Sequence, residues 1–205
     1  MNLGGVLEDK WNKVVQKLKK GGRERNSLKV ALALPALQMT NEDYGPALDL
    51  LMSIFAQHDC YFILQSSYDR HQLNKYTNGS IDKSKILEFD DHVEPWFDFM
   101  KKSVDFVVSY RIHGAMAAIS NEVPAIVIPT DFRILELVNA MKLPLLPMEK
   151  TKTKKYTSIL DIVDDVSVDF TAFEQNRRDK LKEYKRILGG VGLEIDPTLN
   201  AILTQ

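Results

Sequence analysis

The chain has 205 residues, of which 44% are hydrophobic, and carries a formal net charge of −1. That length gives one ample domain, or one domain with appendages, and the composition is that of an ordinary globular protein. Near-neutral charge argues against a general nucleic-acid or membrane-surface binder, no apolar run has membrane-spanning length, no stretch reads as a signal peptide, and a single cysteine, Cys60, excludes an intrachain disulfide.

Read in chain order, "EDKWNKVVQKLKK" sets Trp11, Val14, Val15 and Leu18 at helical spacing with lysines elsewhere, the pattern of an amphipathic helix. "GGRERN" breaks it and reads as a flexible linker. "LKVALALP" reads as a strand, and "GPALDLLMSIFAQ" as a helix whose apolar face is Leu48, Leu51, Met52 and Phe55. "CYFILQS", with Cys60 packed inside, is a second strand and "SKILEFD" a third. "EPWFDFMKK" is a short helix, acidic in its first turn and basic in its last, as the macrodipole favours. "VDFVVS", the "GAMAAIS" helix, the proline-bounded strand "PAIVIP" and the helix "FRILELVNAMK" follow.

This alternation predicts an α/β domain with a Rossmann-like, doubly wound, mostly parallel sheet covered on both faces. Beyond Met148 the pattern weakens: "EKTKTKKY" reads as a solvated loop, "FEQNRRDKLKEYKRIL" as a long polar helix and "GGVG" as its stop. The expected organisation is an N-terminal amphipathic helix and linker (1–27), a Rossmann-like domain (28–148), and a lysine-rich loop with a helical extension (149–205). The Trp11 helix and the C-terminal helix are expected to pack on each other or on a second copy, because large exposed apolar patches are uncommon in monomers.

In a parallel sheet the segments that follow the strands emerge at one edge, where open α/β sheets bind ligands. That edge collects Gln38, Asn41, Ser67, Asp69, Arg70, Asp91, His92, Arg111, His113, Asp131 and Arg133. Loops are polar in any case, and Asn41, Ser67 and Asp91 read first as caps or loop residues. Arg111 and His113 are different. Neither is a usual N-cap, and both stand between an apolar strand and a small-residue helix. A cation at the positive end of a helix needs an anion, and a ligand anion is favoured here over an internal carboxylate such as Asp131. No metal is expected, because His58, His71, His92 and His113 show neither i,i+4 spacing nor a cysteine pair nearby. His58 reads as a partner for a helix C-terminus and His71 as solvated. No GxSxG elbow or GxxxxGKS loop occurs, so serine-hydrolase and P-loop chemistry are set aside.

The stretch "DFVVSYRIHGAMAAISNEVPAIVIPTDFR", residues 105–133, resembles the C-terminal signature of the polysaccharide pyruvyl transferase family. The shared pattern is an apolar strand, an R-x-H turn, an alanine-rich helix, a proline-led strand and a D-x-K/R segment. Glu122-Val123 stands where the family commonly has a small residue before Pro124, and Arg133 replaces the more usual lysine. Family members are typically two Rossmann-like domains resembling a B-type glycosyltransferase, with the active site between them. The glycine-rich opening of the first domain is not found in this sequence, so the resemblance is to the C-terminal domain alone.

The resemblance implies transfer of a pyruvyl group from phosphoenolpyruvate to two hydroxyls of a sugar or polysaccharide, forming a cyclic ketal. It implies no cofactor beyond phosphoenolpyruvate as donor substrate. Arg111 and His113 match the donor site, Arg133 would be a further phosphate ligand, and Asp131, Gln38, Ser67 and Arg70 would support it. The residue types suit the chemistry. An arginine fork takes phosphate or carboxylate bidentately. Ketal formation needs a proton on the enol methylene carbon, and a neighbouring phosphate favours a charged histidine, so His113 is either that acid or a phosphate ligand.

The implied partners are phosphoenolpyruvate, a glycan acceptor, and either a second copy or a separate N-terminal domain; nucleic acid and a membrane span are not expected. Transferase activity would require that the chain be complete or paired with such a domain. Two alternatives stand beside it: a non-catalytic binding or assembly module that keeps the fold, and the nucleotide-sugar half of a glycosyltransferase, with Arg111 on a diphosphate and Glu136 near a ribose. A cytoplasmic setting is expected, or the Golgi or another secretory lumen if the sequence belongs to a longer protein.

Overall fold

The computed structural model describes residues 2–35, 41–88, 93–194 and 197, and for 41–43 the backbone only. The apolar runs form five strands, β1 (Lys29–Ala33), β2 (Asp59–Leu64), β3 (Ile86–Glu88), β4 (Phe106–Ser109) and β5 (Ala125–Val127). They pair in the order β3-β2-β1-β4-β5, and every pairing is parallel. Burial of β1, β2, β4 and β5 between two helical layers explains their near-continuous apolar sequences. The architecture is α/β and Rossmann-like, as the alternation predicts.

The layers can be read from the strand register. Val30, Cys60 and Phe106 are aligned, as are Leu32, Phe62 and Val108, so these residues share a face. Phe62 stacks on Phe55 of α3 (Asn41–Phe55), with ring centroids 5.2 Å apart. Phe106 meets Trp11 of α1 (Leu3–Lys20) at 5.5 Å. On the opposite face, Tyr61 makes an edge contact with Phe99 of α5 (Val93–Ser103). α6 (Ile112–Ser120) packs there too, against β4 and β5. Its closest approach is at Gly114, where a Cβ would fall 2.7 Å from Ser109 Oγ and 3.1 Å from the Ala33 Cβ. Only a residue without a side chain lets the helix sit so low on the sheet. The same helix ends in a turn that puts Glu122 at φ 62°, a left-handed conformation that small residues adopt more readily.

The remaining elements refine the sequence reading. "GGRERN" is not a linker but a short helix, α2 (Gly22–Asn26), entered through Gly21 and Gly22 at positive φ. His58 is buried and meets the Arg25 carbonyl at 3.0 Å, so it caps α2 rather than the helix before it. Burial lowers its pKa. His71, on α4 (Ser67–Thr77), is exposed, as expected. The first part of the lysine run is likewise not a loop: residues 149–153 lie in α8 (Met148–Thr153), after α7 (Phe132–Met141), and the run is tied down at Asp165. The Lys150 Nζ donates to the Asp165 carbonyl at 3.0 Å, Lys154 pairs with the Asp165 carboxylate at 2.5 Å, and Tyr156 donates to it at 2.7 Å. A five-residue helix, α9 (Ile159–Val163), begins with a capping box of Ser158 and Asp161. The polar C-terminal helix, α10 (Phe170–Gly190), runs through Gly189 and Gly190, and Gly192 takes φ 73° just beyond its end.

α1 and α10 pack on each other, the first of the two arrangements expected from their apolar positions. Phe170 lies edge-on to Trp11 at 5.9 Å, and Glu174 accepts from the Gly4 amide at 3.1 Å. Arg177 and Arg178 donate to the same carboxylate at 2.9 and 2.8 Å. Burial alone would raise the Glu174 carboxyl, but the two guanidiniums and the Gly4 amide outweigh it and hold it at about 2.

Two predictions follow from this packing. Gly114→Ala should lift α6 from the sheet and cost ~1–3 kcal/mol, the usual range for overpacking, read as a lower melting temperature. Unchanged melting would mean that the helix is free to shift. For Glu174, a lowered folded-state pKa means stability present above the ordinary value near 4.5 and lost as pH falls towards 2. The full contribution is ~2–3 kcal/mol by linkage. Melting of the native chain and of Glu174→Gln should therefore differ most near pH 7 and converge only as pH falls towards 2; a gap that ignores pH would refute the clamp.

Candidate functional site

Because all five strands are parallel, their C-terminal ends share one edge. The strand order changes direction between β1 and β4: β2 and β3 extend to one side of β1, and β4 and β5 to the other. The crevice at such a switch point is where open α/β sheets bind ligands. Pro35 follows β1 there, and Arg111 follows β4.

Arg111 is the N-cap of α6 in extended conformation, and its side chain does not cap the helix. Instead Ser109 braces the turn, its Oγ accepting from the Arg111 amide at 3.1 Å and donating to the Arg111 carbonyl at 2.5 Å. The guanidinium is thereby free to cross the switch point. Its Nη2 donates to the Pro35 carbonyl at 3.3 Å and pairs with Asp69 in the first turn of α4. Asp69 is almost fully enclosed, its side chain 2% exposed against 16% for Arg111. Its other oxygen accepts from the Gln65 amide at 2.8 Å. The expectation that Arg111 would lack an internal carboxylate is therefore corrected: the carboxylate is Asp69, not Asp131.

Around this pair stand polar groups without partners among the described residues. Arg111 Nε, Tyr44 Oη and Gln65 Nε2 are all buried and unbonded. Gln65 Nε2 lies 3.3 Å from the space that a Cβ on Gly114 would fill. Tyr44 is near enough for its ionisation to feel its neighbours. Burial, reinforced by Asp69 and opposed by Arg111, pushes its phenol up to about 12, so it stays protonated at neutral pH. Each of the three groups can donate a hydrogen bond. A buried donor without an acceptor costs ~1–3 kcal/mol, so three together favour an oxygen-rich ligand.

The other sequence-predicted residues scatter along the edge. His113 is exposed on the first turn of α6. Asp131 caps α7, accepting from the Ile134 amide at 2.9 Å, and that backbone bond lowers its carboxyl pKa. Arg133 is 75% exposed and pairs with Asp131 at 3.0 Å. Arg70 points to Glu88 at the end of β3. Ser67 is exposed at the start of α4, whose N-cap is Ser66. Glu136 is exposed on α7. Gln38, Asp91 and His92 lie outside the described residues, as does the side chain of Asn41.

Sequence reasoning missed Tyr44, Gln65 and Ser109. Gln65 and Ser109 had one weak signal: each is the polar residue that ends or directly follows an apolar strand. Tyr44 had none.

A family model for polysaccharide pyruvyl transferase matches residues 26–131, just over half of the chain. No curated protein and no solved structure matches it. The matched span opens just before β1 and closes at Asp131, so it takes in the switch point, the Arg111–Asp69 pair and the R-x-H turn. The chain belongs to the polysaccharide pyruvyl transferase family.

Proposed function

We propose that this chain binds phosphoenolpyruvate at the carboxyl edge and passes its pyruvyl group to two hydroxyls of a glycan, releasing phosphate. The observation that carries this reading is the cluster of unpartnered donors, Arg111 Nε, Tyr44 Oη and Gln65 Nε2, beside an arginine fixed at the switch point. A small polyanion bearing phosphate and carboxylate oxygens would satisfy all three.

Asp69 holds Nη2, leaving the Nε edge of the guanidinium as the donor to the ligand. The uncapped first turn of α6 adds its backbone dipole. In the reaction a sugar hydroxyl oxygen attacks C2 of the enol as the methylene carbon takes a proton. The second hydroxyl then attacks C2, and the C–O bond to phosphate breaks. His113, on the open side of the same turn, supplies the proton to the methylene carbon. Arg133 and Asp131 shape the approach from α7.

A second reading has its own support. An arginine whose side chain is only 16% exposed, paired with a buried aspartate, could serve only to brace three loops. In that case the chain would be a binding or assembly module.

Arg111→Lys and Asp69→Asn separate the two readings. If the pair is purely a brace, Asp69→Asn strands the buried guanidinium and costs ~3–5 kcal/mol, while phosphoenolpyruvate leaves the melting of the native chain and of Arg111→Lys unchanged. On the donor-site reading, Arg111→Lys keeps the charge and most of the melting temperature but loses the fork. Phosphoenolpyruvate at a hundredfold over its dissociation constant should stabilise the native chain by ~2.7 kcal/mol, seen as a melting shift. Arg111→Lys should lose most of that shift. His113→Gln should keep it while abolishing ketal formation. A nucleoside diphosphate that shifts melting where phosphoenolpyruvate does not would sink the proposal.

A further inference from the structure

A broad cleft lies not at the carboxyl edge but at the opposite, amino edge of the sheet, between α1, the end of α5 and the starts of β1, β4 and β5. Its volume is about 640 Å³. In a chain of net charge −1, seven lysines line it against two carboxylates, Glu24 and Asp105. Neither carboxylate is idle: Glu24 pairs with Lys20 at 3.1 Å, and Asp105 accepts from the Lys29 amide at 3.0 Å. Lys10 and Lys102 pair outward, with Glu122 at 3.5 Å and Asp98 at 2.6 Å. Lys13, Lys17, Lys29 and Lys101 have no carboxylate partner among the described residues. These four come from α1, β1 and α5, three separate elements facing one concavity. The periodicity of a single solvated helix face does not produce that.

We infer that this cleft binds an acidic, carboxylate-bearing polysaccharide. The choice follows from what lines it. No aromatic side chain is present for bases to stack on, which disfavours single-stranded nucleic acid. Of its apolar residues, Val14, Val123 and Pro124 are buried and Val104 is half-buried, so no exposed apolar side chain protrudes to enter a bilayer. Lysines without arginines are mobile point charges, suited to separate carboxylates spaced along a chain. Gln16 and Ser103 offer amide and hydroxyl groups to sugar hydroxyls. The inference rests on the proposed reaction for its biological sense. Each ketal adds one carboxylate to the glycan, so modified segments become polyanionic, and the cleft stands the length of one strand, roughly 15 Å, from the carboxyl edge. It would hold product segments while the next unit reaches the donor site.

The test uses the full chain and four probes: polygalacturonate, neutral dextran, phosphatidylglycerol vesicles and a short duplex DNA. Polygalacturonate should bind and weaken with added salt, and dextran should not bind. The triple variant Lys13→Glu/Lys17→Glu/Lys101→Glu should lose affinity about tenfold or more, since reversed charges now repel the ligand. Its phosphoenolpyruvate shift should be unchanged and its melting temperature only slightly lower, since Lys17 and Lys101 sit at helix C-terminal ends. Lys13→Gln/Lys17→Gln, a milder change on the exposed helix face, should lose affinity in the same direction. Failure of polygalacturonate to bind, indifference to both variants, or equal binding of vesicles or duplex would overturn the inference. Polygalacturonate binding without a phosphoenolpyruvate shift would instead leave the cleft standing and sink the donor-site reading.

Discussion

The ion pair between Arg111 and Asp69 fixes the geometry on which the carboxyl edge depends. Its members follow β4 and β2, and the arginine also takes the carbonyl of Pro35 beyond β1. Three strand ends are thus joined by one guanidinium. Asp69 is deeply enclosed, and the cost of stranding a charge there ties the three loops to one another. The Gln65 amide and the Ser109 hydroxyl complete the brace on either side. The pair is also incomplete, because it leaves Nε of the same guanidinium buried without an acceptor. A structural pair alone would not need that remainder, and a preorganised anion site would, because donors fixed before binding lose little freedom on binding.

How far the sequence foretold this depends on the range of each interaction. β4 and β5 were legible because a strand buried on both faces must be apolar throughout, and the R-x-H turn was legible because cationic residues between such segments are out of place. From parallel alternation alone, Arg111 and His113 could be set at the ligand edge. Asp69 is different. It stood among eleven polar residues assigned to that edge, and nothing in a one-dimensional pattern pairs it with an arginine 42 positions away. Local rules also misled where tertiary contacts intervened. "GGRERN" and "EKTKTKKY" have loop composition, but His58 caps the first and Asp165 gathers the lysines of the second. Arg133 has a local partner, since Asp131 two residues earlier pairs with it.

The fold itself imposes an electrostatic asymmetry between the two edges. Helices that return a chain to a parallel sheet start at the carboxyl edge and finish at the amino edge. Positive helix ends therefore gather where Arg111 lies, and negative ends where the cleft lies. The macrodipole accounts for Lys17 and Lys20 in the last turns of α1 and for Lys101 and Lys102 at the end of α5. It does not account for Lys10 and Lys13 in the body of α1 or for Lys29 at the start of β1. Those three exceed what the helix ends require, and they close the ring around the cleft. The two edges thus present positive charge by different means. At the carboxyl edge the charge is one fixed guanidinium with backbone dipoles, a geometry suited to orienting a small reacting polyanion. At the amino edge it is a set of flexible ammonium groups with no fixed fork, which can follow a long ligand and let it slide. On the proposed reaction, which leaves carboxylates along a polymer, each edge would have its own use.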